Sequence, residues 1–177
     1  MASLFARAAV GAALVVLAVG AGGATAAGDS GQTITAENRL ETQILSALNA
    51  ARRARGLVPL KLSPSLSAAA DAHTRSMATY GFFGHESRDG RSVMERARPY
   101  YARGARWTVG ENLLWSSPSV EASEALQMWM ASPGHRRNML AANWRDVGLA
   151  AVSVPAATGV FQGLDVVIVT SVFGARS

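Results

Sequence analysis

Asp165-Val166-Val167-Ile168-Val169-Thr170-Ser171-Val172-Phe173 is the stretch from which the fold can be read. Its β-branched residues favour extended chain, and the unbroken apolar run Val166 to Val169 suits a central strand covered on both faces. Upstream, Val147 to Val154 has a similar composition, and the glycine-containing region between the two reads as a turn, so the segments are expected to pair. The earlier chain changes period. Leu40, Ile44, Leu48 and Ala51 recur at helical spacing between an expected N-cap at Thr35 and a stop at Gly56. Ser63 and Pro64 open a second helix with Leu66, Ala69, Ala70, His73, Met77 and Tyr80 on one face. Ser92-Val93-Met94-Glu95 has the form of a capping box for a short helix that Pro99 should stop. Another helix is expected from near Ser117-Pro118 through Met128 and Trp129, and Ser132 would cap a turn running from His135 to Leu140. Helices early and strands late imply an α/β chain forming a single three-layer α-β-α sandwich around a central mixed or antiparallel sheet.

A chain of 177 residues, 49% hydrophobic, can bury one core, and no repeat or long internal linker divides it. Arg7, the apolar run Ala8 to Ala21 and Ala24-Thr25-Ala26 have the layout of a secretory signal peptide. Residues 1–27 are therefore expected to be removed, 28–35 to form a linker and 36–175 to form the domain. The alternative is a retained membrane anchor, for which the apolar stretch is short of the roughly 20 residues of a span. The expected location is extracellular. With no cysteine, neither a disulfide nor a lipid-modified cysteine is available, and packing alone must stabilise the fold.

The formal net charge of +5 includes Arg7. It permits anionic partners without pointing to nucleic acid. Arg52, Arg53 and Arg55 sit where cations offset the negative end of a helix dipole. Arg88, Arg91, Arg96, Arg98, Arg103 and Arg106 form a second basic run, able to hold the protein on an anionic cell envelope.

Three short motifs carry the chemistry: Gly84-His85-Glu86-Ser87, Gly110-Glu111-Asn112 and Ser132-Pro133-Gly134-His135-Arg136. Two imidazoles and a carboxylate, each beside a glycine that would let backbone come close, are the parts of a metal or proton-transfer site. His73 lies on an apolar helical stripe and reads as a hydrogen-bonded core residue, whereas His85 falls in a glycine-rich loop that Phe82 and Phe83 would anchor. Glu111 and Asn112 also fit a second role, holding a turn-like segment by hydrogen bonds. Ser132 beside His135 reads either as a cap or as a nucleophile paired with a base.

Leu48-Asn49-Ala50-Ala51-Arg52, Gly56-Leu57-Val58-Pro59-Leu60, Gly81-Phe82-Phe83-Gly84-His85, Gly110-Glu111-Asn112, Trp129-Met130-Ala131-Ser132-Pro133-Gly134-His135-Arg136 and Val147-Gly148 together closely resemble the bacterial branch of the CAP superfamily. That family includes cysteine-rich secretory proteins, antigen 5 and pathogenesis-related proteins. The resemblance is collinear over about residues 40 to 174 and implies an α-β-α sandwich with a large cleft. Many members carry a cleft tetrad of two histidines and two acids, onto which His85, Glu111 and His135 map, with Ser132 at the fourth place instead of an acid. The resemblance also implies zinc between the two histidines. Asn112, Ser132 and Gly134 complete the cleft motifs.

Two functions follow as expectations. The first is an extracellular binding module for a lipid, small-molecule or cell-envelope ligand, acting as a monomer, with Trp107, Trp115, Phe82 and Phe83 available to line an apolar surface. The second is a zinc-assisted hydrolase in which Glu111 acts as the base.

Overall fold

The computed structural model describes residues 30–102 and 106–176. The expected signal peptide and Arg103 of the basic run lie outside them. Four strands form one mixed sheet in the order β1-β3-β4-β2, with β1 Lys61–Leu62, β2 Trp107–Ser116, β3 Asp146–Ala157 and β4 Leu164–Arg176. The segments expected to pair do so: β3 and β4 are antiparallel neighbours joined through a 3-10 turn at Gly159–Phe161. β4 also pairs along its length with β2, again antiparallel, and β1 lies parallel to β3.

Because side chains alternate along a strand, the apolar run in β4 feeds two cores. Val167, Val169 and Phe173 pack with Ile44 and Leu48 of α1 (Ser30–Arg53), with Trp129 of α4 (Ala122–Ala131) and with Met139 of α5 (Pro133–Met139). On the opposite face, Val166 and Ile168 pack with Met77 of α2 (Pro64–Tyr80), while Val172 meets Leu66 of α2 and Tyr101 of α3 (Val93–Tyr101). The three-layer sandwich is thus built on a central strand wetted on neither face. The N–H groups of β3 beyond β1 are met by side chains: Ser67 accepts from Leu149, Glu41 from Ala151 and Glu37 from Ser153.

Several expectations need correction. α1 starts at Ser30, so residues 30–35 are helical backbone instead of linker, and Thr35 is not its N-cap. Pro99 lies inside α3, which continues to Tyr101; with only nine residues in the helix, the donor missing at Pro99 is not enough to end it. α4 begins at Ala122, because Trp115 and Ser116 are taken by β2 through pairing with Ile168 and Val167. Tyr80 turns outward from the α2 stripe. Arg52 is fully buried, donating from Nη1 to the carbonyls of Met139 and Ala141 at 2.7 and 3.1 Å and from Nε to that of Val58 at 2.9 Å. It therefore ties α1 to the end of α5, and burial, reinforced by Arg145, lowers its pKa. Arg55 keeps the expected role, with its guanidinium on the Ala51 carbonyl.

The capping features hold. The Ser92 hydroxyl accepts from the Glu95 N–H, and the Glu95 carboxylate accepts from the Ser92 N–H, closing the capping box. Ser63 caps α2, with Pro64 at its start.

Two expected outcomes test this packing. A Cβ built on Gly148 would stand 2.0 Å from the Leu66 carbonyl carbon and 2.2 Å from the Ser67 nitrogen, so α2 rests directly on β3 at this point. Gly148→Ala should cost about 3 kcal/mol or more in urea unfolding, whereas Gly84→Ala, with no described residue within 4 Å, should stay within about 0.5 kcal/mol.

The second concerns His73, which is 2% exposed. Its Nε2 lies 2.9 Å from the Gly84 carbonyl, an acceptor only, so Nε2 carries the proton. Buried Nδ1 has no partner among the described residues, and protonating it would bury a charge and an unmet donor. Burial, with Arg96 nearby, accordingly lowers the pKa from the ordinary 6.5. The unfolded chain thus binds more protons below pH 6.5, and the His73 contribution is lost as pH falls from there toward the lower folded value. Between pH 7.5 and 5.0, wild-type stability should fall by about 1 kcal/mol more than that of His73→Gln, measured by urea unfolding at each pH.

Candidate functional site

The site is assembled across the β2 edge of the sheet. Gly110-Glu111-Asn112, read from the sequence as turn-like, lies in the middle of β2, with Glu111 opposite Val172 of β4 and Asn112 opposite Ser171. Consecutive residues of a strand point to opposite faces, and these two do. Glu111 reaches the α3 side, where it meets Arg96, and Asn112 reaches the α5 side, where its Nδ2 donates to the His135 carbonyl at 3.1 Å. The alternation Trp107, Val109, Glu111, Leu113, Trp115 was the available signal for a strand here.

The Glu111 side chain is 2% exposed and both of its oxygens are engaged. Oε1 accepts from His85 Nδ1 at 3.0 Å, and Oε2 accepts from Arg96 Nη2 at 2.6 Å. A carboxylate has no proton to give, so the neutral His85 ring carries its hydrogen on Nδ1 and presents the Nε2 lone pair. The ring is otherwise open, at 58% side-chain exposure.

Arg96, whose side chain is only 10% exposed, also donates from Nη1 to the carbonyls of His85 and Arg91, at 2.6 and 3.1 Å. One guanidinium thereby holds both the carboxylate that orients the imidazole and the backbone that carries it. His73 pins the preceding carbonyl, of Gly84. Neither arginine nor core histidine stood among the expected site residues: Arg96 looked like one cation in a basic run, and His73 like a core residue alone.

The α5 side has its own chain of contacts. Asn138 Nδ2 donates to Asn112 Oδ1 at 3.0 Å, and Trp144 Nε1 donates to the Asn138 carbonyl at 2.9 Å. Gly110 is necessary here, since a Cβ would lie 2.6 Å from Asn138 Oδ1 and 3.0 Å from the Trp144 ring. No described residue comes within 4 Å of a Cβ built on Gly84 or Gly134, so close backbone approach accounts for only one of the three motif glycines. Ser132 occupies the N-cap position of α5, but its hydroxyl makes no capping bond.

His85, Glu111, Asn112, Ser132, Gly134 and His135 therefore line one open cleft of about 500 Å³. Burial and the neighbouring His85 both lower the pKa of His135, which favours its neutral, lone-pair-bearing form. Among the described residues, no group of three or more His, Cys, Asp or Glu side chains is placed to hold a metal ion. Ser132 and His135 also border a smaller apolar groove with Phe83, Leu113, Trp115 and Met128. Of the other aromatic residues expected to form an apolar surface, Phe82 packs edge-on against His73, and Trp107 borders a different hollow.

The chain matches the family described as the cysteine-rich secretory protein family, CAP, over residues 45–172. YkwD of Bacillus subtilis (strain 168) is 31% identical over 113 residues, which cover 63% of this chain and only 42% of that protein. An extracellular protein containing a SCP domain from Bacillus anthracis str. Ames has the same fold, with a TM-score of 0.67 at 22% identity over 88% of this chain and 45% of its own. An outer surface protein from Borrelia burgdorferi gives 0.60 at 18% identity, over 77% and 92% respectively. At such identities the structural likenesses speak for the fold alone. The family match spans most of the folded region, including the strand that carries Glu111 and the helix that carries His135, and the chain belongs to the cysteine-rich secretory protein (CAP) family.

Proposed function

We propose that this protein is an extracellular binding module whose cleft takes its ligand beside a divalent-metal seat formed by His85 and His135. The observation that carries this reading is the full engagement of Glu111: with both oxygens held, it orients His85 and leaves Nε2 as the donor. A carboxylate behind a histidine is the usual support of a metal-binding imidazole. Two neutral imidazoles suit zinc with water completing its shell. A metal there would supply a Lewis-acidic point for an oxygen or nitrogen of the ligand, and the adjoining groove at Phe83, Trp115 and Met128 suits an apolar portion of the same molecule.

Two imidazoles lining one cleft support such a two-nitrogen seat, and the chemistry of the same residues argues against the zinc-hydrolase alternative. Catalytic zinc ordinarily has three protein ligands, and the carboxylate needed as base already accepts from Arg96 and His85. Glu111 is thus assigned a positioning role. Ser132 has no base at hydrogen-bonding distance among the described residues, which leaves it as lining of the cleft.

An extracellular setting is supported by the leader-like N-terminal sequence and by the extracellular and outer-surface descriptions of the structurally similar proteins. No helix among the described residues is long and apolar enough to cross a membrane.

Calorimetric titration of the purified protein with Zn²⁺ at neutral pH tests the seat. Binding should be present in wild type and lost in a folded His85→Ala/His135→Ala variant; equal binding by both would refute the assignment. Glu111→Gln should separate support from ligation. It is expected to lose about 3 kcal/mol of stability, because Arg96 remains buried without its counter-charge, and to weaken Zn²⁺ about ten-fold without abolishing it.

A further inference from the structure

At the opposite end of β2 from its junction with α4, the starts of β2 and β3 and the end of β4 enclose a hollow of about 390 Å³ bordered by Arg106, Arg145, Arg176, Trp107, Thr108 and Asn143. No acidic residue among those described borders it. Elsewhere the arginines with defined ion pairs meet carboxylates, Arg75 with Asp71, Arg91 with Asp89 and Arg96 with Glu111. Among the described residues, none of the three in this hollow has a carboxylate within 4.0 Å.

Two of these cations are held in place by their own neighbours. Arg145 Nη1 donates to the carbonyls of Ala142 and Trp144 at 2.8 and 2.9 Å. The Arg176 guanidinium lies 3.6 Å from the centre of the Tyr101 ring, and Tyr101 is itself fixed by donating to Asp146 Oδ2 at 2.6 Å. One oxygen of Asp146 is thus taken by a phenol. Three like charges border one concavity, so an anion entering it would relieve their mutual repulsion, and cations already ordered lose little freedom when it does.

We propose that this hollow is a binding site for a phosphate-bearing ligand, whose dianionic group is taken by Arg106, Arg145 and Arg176 and whose organic part rests against Trp107. Planar guanidinium forks match the oxygens of phosphate, and three of them favour a dianion over a carboxylate. Thr108 and Asn143 add neutral hydrogen-bonding groups at the rim. The site is separate from the His85/His135 cleft, shares no lining residue with it and does not depend on metal there.

The probe is phenyl phosphate, titrated into the purified protein at constant ionic strength and followed by Trp fluorescence and calorimetry, with phenol and benzoate as comparisons. Phenyl phosphate should saturate a single site, bind more tightly than benzoate and leave phenol unbound. Arg106→Gln, at an exposed position, should weaken it about three- to ten-fold with an unchanged unfolding midpoint, and Arg106→Gln/Arg176→Gln should abolish it. Wild-type affinity in both variants, or benzoate binding as tightly as phenyl phosphate, would overturn the proposal. Sedimentation with phosphatidylcholine vesicles containing phosphatidate then distinguishes the source: Arg106-dependent pelleting identifies a lipid headgroup, and phenyl phosphate binding without pelleting identifies a soluble phosphate ester. Failure to bind either probe would refute the site.

Discussion

A carboxylate buried to the extent of Glu111 is tolerable only if both oxygens are met by donors, and that requirement organises the side of the molecule that carries the candidate site. The donors come from different elements. Arg96 arrives from α3, so the short helix must lie against β2; His85 arrives from the loop after α2, so that loop must fold back over the sheet edge. Arg96 then holds the loop backbone as well, through the carbonyls of His85 and Arg91. One ion pair consequently fixes a strand, a helix and a loop, and the orientation of an imidazole follows from it.

The opposite face of the same strand is organised by neutral hydrogen bonds. Asn112 and Asn138 join β2 to α5, Trp144 holds the carbonyl of Asn138, and Gly110 leaves room for the amide. The two halves differ in chemistry, ionic on the α3 side and amide-based on the α5 side, yet each delivers one histidine to a common cleft. An edge strand is the natural place for this arrangement, because only there can side chains from the two faces of a sheet meet around its rim. The buried cation Arg52 extends the logic to α1, since its guanidinium holds carbonyls at the end of the helix carrying His135 and just beyond it.

Arginine has several distinct uses in this chain. Arg52 is a buried brace on carbonyl oxygens, Arg96 a counter-charge to a buried carboxylate, and Arg55 a helix-end cation. Arg145 and Arg176 are held instead by carbonyls and by an aromatic ring, and neither has an ion pair among the described residues. Net charge says nothing of these differences; they follow from what each guanidinium touches.

The layer architecture was legible in the sequence because it depends on local periodicity: the apolar run of β4, the composition of β3 and the helical stripes Leu40 to Ala51 and Leu66 to Tyr80, of which only Tyr80 turns outward, each report what one element buries. The motif histidines and Glu111 were also legible, as residue types and through the family resemblance. The sequence did not reveal β2, whose alternation carries a charged residue, Glu111, facing inward at its middle and whose other face opens with Thr108, Gly110 and Asn112. Nor could it distinguish Arg96 from the neighbouring arginines, or Arg52 from a helix-end cation, since burial and partnership are properties of contacts between residues far apart in the chain. By itself the sequence determined the helices, the strand pair β3 and β4, and which side chains are available for chemistry. The tertiary structure decided that Glu111 is held on both oxygens and that His85 and His135 come to one cleft from opposite faces of a strand, because those outcomes depend on how α3 and α5 pack on either side of β2.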